Sequence, residues 1–128
     1  MSTEVNITGM QELLDKLEAM GRKGASIENE ALRAAADPVA KDMKSLVKVS
    51  TTNHMHIRDD IEISKIKTKA GVRFIEIGPG IKTNWRAKFL EFGTSKASAH
   101  PFIQPAFEKN KRNVIEIIKN KLREGLGL

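Results

Sequence analysis

The chain has 128 residues and no cysteine, which excludes disulfides and thiolate metal sites. A chain of this length buries about two-thirds of the surface its unfolded state exposes, so one unstapled domain is expected. No apolar run approaches the ~18–20 residues that span a bilayer, and 22 Lys and Arg against 16 Asp and Glu give a formal net charge of +6.

The opening residues, Met1-Ser2-Thr3-Glu4-Val5, lack the basic flank and apolar stretch of a signal peptide, so a protein made and kept in the cytosol, without membrane partners, is expected. Val5-Asn6-Ile7 alternates briefly, as a short edge strand or an extended lead-in would. Thr8 has Gln11 three residues on, the spacing of a capping box. Met10, Leu13, Leu14, Leu17 and Met20 then recur at helical spacing, predicting an amphipathic helix over 9–20 that Gly21 and Gly24 end. Ser26 is the expected N-cap of a second, longer helix. It carries Ile27, Ala31, Ala34, Ala35, Val39, Met43, Leu46 and Val47 on one stripe. Pro38 interrupts that stripe, predicting a kink or two helices meeting at Asp37-Pro38.

Residues 50–60 follow neither period and are expected to form a long flexible loop. Alternation from Ile61 to Lys69, turn chemistry at Ala70-Gly71 and alternation from Val72 to Ile77 predict a β-hairpin, stopped by Gly78-Pro79-Gly80. Because two strands alone are marginal, a third strand is expected from 5–7 or 80–82, or the sheet is extended by another subunit. Trp85, Phe89 and Phe92 share one face of a short helix ending at Gly93. Pro101 or Pro105 begins a last helix with an apolar stripe through Ile103, Phe107, Val114, Ile118 and Leu122, interrupted at Asn110-Lys111. The order of elements predicts an α+β fold. A small antiparallel sheet has helices on one face, a long kinked second helix and a C-terminal helix.

The stretch from 89 to 106 organises this pattern, holding three of the five phenylalanines and two of the four prolines. Phe89, Phe92 and Phe102 are the expected core anchors and Trp85 a core or interface anchor, since aromatic side chains carry the largest apolar area. They flank an exposed loop at 93–100 made of small and polar residues. Glu91, between Leu90 and Phe92, is expected to cap a backbone amide or pair with an arginine. Gly93 is expected at positive φ.

The residues that could carry chemistry do not assemble into a catalytic set. His54 and His56 lie two apart and would point the same way on an extended chain, but a zinc site would need distant partners. His100 precedes a proline at a loop end. Asp59, Asp60 and Glu62 resemble the acidic clusters of metal-dependent nucleases, although solvated aspartates are the plainer reading. Gly78-Pro79-Gly80 lacks the length and the Lys-Ser/Thr ending of a P-loop. No catalytic residue, cofactor or metal is expected.

The organising stretch also carries a resemblance. Phe89-Leu90-Glu91-Phe92-Gly93-Thr94, a short loop, then Ala99-His100-Pro101-Phe102-Ile103-Gln104-Pro105-Ala106 closely resembles the signature of a tail-completion family. Its members are minor tail proteins of long-tailed, non-contractile bacteriophages and of prophages. The opening pattern through Val5, Ile7, Gly9, Met10, Glu12 and Leu13, followed by an Ala-rich helix, is similar to the family's N-terminal half. One segment departs from it. The family's Thr-Gly-x-Leu-Arg-x-Ser after the second helix is matched here only at Ile57-Arg58 and Thr52.

The resemblance implies a non-enzymatic protein of the head–tail junction. Such a protein is made in the bacterial cytoplasm and incorporated in the virion neck as a ring, most simply a hexamer. The implied partners are the tail tube protein and the head connector, with nonspecific contact to DNA passing through the ring. The motif residues are Trp85, Phe89, Glu91, Phe92, Gly93, Thr94, Pro101, Phe102, Pro105 and Ala106. The loops carrying His54, His56, Arg58, Lys96 and His100 are the expected assembly contacts. The alternative is a small basic DNA-binding module encoded by a phage. It would need Lys and Arg concentrated on one helix face, and Glu108, Glu116 and Glu124 dilute the best candidate, the last helix.

Overall fold

Two leucines one helical turn apart, Leu13 and Leu17, give the first helix its buried face. The computed structural model describes residues 10–49 and 54–128, and the strand expected at 5–7 and the Thr8 capping box lie outside them. The fold is α+β, with four helices and two small antiparallel sheets of two strands each among the described residues. It divides into two compact units, one of Met1–Ala36, Ile66–Ile75 and Lys111–Leu128, the other of Asp37–Lys65 and Glu76–Asn110. Helices α2 (Arg22–Leu46) and α4 (Ile103–Leu126) contribute residues to both units.

In the first unit, α1 (Gln11–Ala19) buries Leu13 and Leu17 in a cluster with Met10, Ala31 and Leu122. Ile27, Ile118 and Leu126 pack against that cluster. Gly21 stops α1 at φ +62°, and its N–H donates to the Glu18 carbonyl at 3.1 Å. Its own carbonyl accepts the Ala25 N–H at 3.0 Å, so α2 starts at Arg22 and Ser26 lies inside the helix rather than capping it. Gly24 is likewise not a breaker. A Cβ built there would stand 1.8 Å from the Leu17 carbonyl oxygen. Only a glycine lets the α1 backbone approach α2 this closely.

Strands β2 (Lys67–Lys69) and β3 (Val72–Phe74) pair with Lys67 opposite Phe74 and Lys69 opposite Val72. Both residues of the connecting turn have positive φ, Ala70 at 51° and Gly71 at 77°, the type I′ geometry that matches strand twist. The Arg73 guanidinium donates to Asn29 Oδ1 at 3.2 Å and lies 3.5 Å from Glu28 Oε2, which ties this hairpin to α2.

The second unit holds β1 (Ile61–Ile63) and β4 (Ile77–Pro79), with Ile61 opposite Pro79 and Ile63 opposite Ile77. The long hairpin expected from the alternation is thus split into two ladders. Residues 64–66 separate β1 from β2 while only 75–76 separate β3 from β4, and that extra residue offsets the two registers by one. Gly78 and Pro79 belong to β4, and Gly80 ends it. Residues 81–83 form a turn and not the third strand expected at 80–82.

One pair of alternatives is decided and one expectation is corrected. Helix α2 runs through Pro38 as one helix, where two helices meeting at Asp37 were an option. The proline removes one intrahelical bond, while Ala35, Ala36, Val39 and Ala40 are buried on both sides of it. The expected loop at 50–60 contains a 3₁₀ turn at Ile57–Asp60 that buries Ile57 and Asp60. Helix α3 (Asn84–Phe92) lies against this turn and β4.

Replacing Gly24 by Ala is expected to destabilise the protein by about 2–4 kcal/mol, since backbone and not a flexible side chain stands in the way. Urea unfolding followed by circular dichroism measures this, and a loss below about 0.5 kcal/mol would show that α1 moves freely off α2.

Candidate assembly surface

The N-terminus of α4 must find acceptors for its first backbone N–H groups, which have no intrahelical partner. The Glu91 side chain supplies them. Its Oε1 accepts the N–H groups of Phe102 and Ile103, both at 3.0 Å, and its Oε2 accepts that of Gln104 at 3.1 Å. Pro105, next in line, has no N–H to satisfy. The helix ladder then begins with the Ala106 N–H donating to the Phe102 carbonyl. Every orphan donor of this helix start is accounted for by one carboxylate and one proline. The negative charge also meets the positive end of the helix dipole. Glu91 is buried, and Phe102 and Ala106 beside the cap are fully buried.

The loop between α3 and α4 is held from both ends. Gly93 closes α3 at φ +75°, with its N–H donating to the Phe89 carbonyl at 2.8 Å. A Cβ there would come within 2.9 Å of the Ala99 nitrogen, so conformation and space both demand glycine. Thr94 Oγ1 accepts the N–H groups of Lys96 and Ala97 at 3.2 and 3.0 Å, making a compact turn. The His100 N–H donates to the Leu90 carbonyl at 2.7 Å. Lys96, His100 and Pro101 are exposed on this turn, and Pro105 is half-buried.

The aromatic residues of α3 are placed otherwise than expected. Trp85, Phe89 and Phe92 do share one face, but that face is in solvent, with exposures of 57%, 55% and 66%. They are not core anchors in the single chain. The opposite side of α3 buries Ala87 and Glu91. Trp85 and Phe89 meet edge to face at 6.4 Å between centroids, and the Arg86 guanidinium lies 5.9 Å from the Trp85 ring. Arg86 also donates to the Met55 carbonyl, fixing the 54–56 segment beside α3.

A groove of about 540 Å³ opens here, lined by Lys48, His54, His56, Arg86, Phe89 and Leu90 among others. A neighbouring groove of about 440 Å³ adds Met55, Lys82 and Trp85. The rings of His54 and His56 are 5.4 Å apart. The pKa of His54 is lowered from the ordinary 6.5, first by partial loss of water around the ring, then by the positive charges of Arg86 and His56. No group of three metal-ligating side chains occurs among the described residues.

Other polar residues are structural. Asp60 is buried, and its Oδ2 accepts both the N–H and the hydroxyl of Thr83, at 3.1 and 2.8 Å, where α3 begins. It is therefore not the solvated aspartate expected. Asp59 is exposed 3.7 Å from Arg58, also exposed. Asn110 is buried on α4, donating to Asp42 Oδ2 at 2.6 Å and to the Ala106 carbonyl at 2.8 Å. Its interruption of the apolar stripe was the one sign in the sequence of a buried polar link to α2.

A family model described as "Bacteriophage HK97-gp10, putative tail-component" matches residues 11–93. No curated protein and no solved structure matches the chain. The matched span runs from the start of α1 to the glycine that closes α3.

Replacing Glu91 by Ala is expected to cost about 2–4 kcal/mol, because three N–H groups lose a charged acceptor at a helix start. Replacement by Gln, which keeps one carbonyl oxygen, should cost less, and equal losses in urea unfolding would contradict the capping role. The His54 imidazole should titrate below 6.5 by proton NMR, and Arg86→Met should raise its midpoint. Below pH 6.5 the unfolded chain takes up the His54 proton before the folded chain does, so acidification disfavours folding and a His54→Gln variant escapes that loss.

Proposed function

The chain belongs to the HK97-gp10-like family of bacteriophage tail components, and from that membership we propose that it is a structural protein of the virion, completing the tail and joining it to the head connector. Its role is architectural and not enzymatic. The subunit works in a closed ring, most simply a hexamer, with the tail tube protein and head connector proteins as neighbours.

The observation that carries the ring is the state of the sheets. Strands β1, β3 and β4 are each paired along one edge only among the described residues. Two-stranded sheets are marginal alone, and an unpaired edge is a template for a strand of another chain. The loops bearing His54, His56 and Arg58, and Lys96 and His100, present further exposed or half-buried side chains for subunit contact. The excess of positive charge suits a channel traversed by DNA, through salt-sensitive phosphate contacts without sequence preference.

Native mass spectrometry across a concentration series, with negative-stain imaging of any assembled fraction, tests this reading. Closed rings of a single size are expected. A protein that stays monomeric at every concentration, alone and with purified tail tubes, would overturn ring formation.

A further inference from the structure

The α3 face leaves a large aromatic surface in water. With 150–250 Å² per aromatic side chain, exposures of 57%, 55% and 66% for Trp85, Phe89 and Phe92 leave on the order of 350 Å² exposed. Met55 beside them is 41% exposed. Patches of roughly 300–600 Å² are the largest found on typical monomers and often mark function. A standard interface draws about 800 Å² from each partner, so this patch is large enough to form the apolar centre of one.

The rim has a single sign. Lys48, Lys82 and Arg86 line the two grooves together with His54 and His56, and no carboxylate lines either among the described residues. A second copy laid on this face about a two-fold axis would set this cationic rim against the same cationic rim, which is repulsive. The net charge of +6 adds to that repulsion for most other approaches of a like chain. Complementarity calls for an acidic partner with apolar side chains to cover the rings.

We propose that the aromatic face of α3 is a docking surface for an acidic, amphipathic segment of a different protein chain, seated on Trp85, Phe89 and Phe92 with its carboxylates against Lys48, Lys82 and Arg86. The location of that partner at the end of the tail rests on the function proposed above; its chemistry rests on the surface alone.

Trp85 is the only tryptophan, so its fluorescence reports on this face without labelling. The probes are a helical peptide of about 20 residues with leucines on one face and flanking glutamates, its lysine-for-glutamate counterpart, a thymidine oligonucleotide, and the protein's own dilution series. The acidic peptide should blue-shift Trp85 and bind about tenfold or more tighter than the basic one, with affinity falling as salt rises. Phe89→Asp and Lys48→Glu/Lys82→Glu should each weaken it about tenfold or more, with circular dichroism unchanged because all three side chains are exposed. Equal binding of the two peptides, or no binding, overturns the proposal. So does tighter binding of the oligonucleotide, or burial of Trp85 by concentration alone. Rings that form with Trp85 still exposed, alongside failed peptide binding, would sink this inference and leave the ring standing. Peptide binding by a strict monomer would do the reverse.

Discussion

A single carboxylate decides how the second half of this chain is arranged. Glu91 stands at the end of one helix and holds the first three N–H groups of the next. Because the group is buried and charged, it needs several donors to offset the loss of water, and a helix N-terminus is the one place where backbone supplies them in a cluster. The geometry leaves little freedom. It sets where α4 starts, places Phe102 and Ala106 in the interior, and requires Gly93 to turn the chain sharply within two residues of the carboxylate. The short run Glu-Phe-Gly-Thr is thus a statement about how two helices join, and three of its four residues have backbone work to do.

The exception is Phe92, and it shows the limit of reading a core from composition. An aromatic-poor chain with its rings gathered in one stretch suggests a core there, because burial of rings is the strongest apolar term available. Periodicity correctly put Trp85, Phe89 and Phe92 on one helical face. It could not say which face of α3 turns inward, since the inward side carries a small residue, Ala87, and a charged one, Glu91. A buried glutamate is legible only once its donors are known, and those lie eleven to thirteen positions further on.

Other readings failed or succeeded for similarly local reasons. The turn at Ala70-Gly71 was legible from two residues because its chemistry is local. The split of the hairpin was not, because it depends on one unmatched residue between 63 and 67. Gly24 looked like a helix breaker since a glycine three residues after Gly21 commonly is one. Its actual role, admitting the α1 backbone, is a tertiary contact that no single-chain periodicity reports. Asn110 was visible as a polar break in an apolar stripe and Asp60 only as one of two adjacent aspartates, and each is held by a partner more than twenty positions away.

The spacing of these contacts along the chain has a consequence for the order in which they form during synthesis. The Glu91 bonds close a segment of eleven to thirteen residues, a small entropic cost met as soon as α4 begins to emerge. The cluster around α1 is the opposite case. Leu13 and Leu17 share their burial with Leu122, more than a hundred positions later. Ala31 and Ile27 of α2 can cover part of this face early, but its burial is complete only once the end of α4 has been made, and until then part of it stands open to chaperones or to other nascent chains. The stretch from 89 to 106 can thus close on itself as it is made, while the leucine face of α1, made earlier, waits for the end of α4.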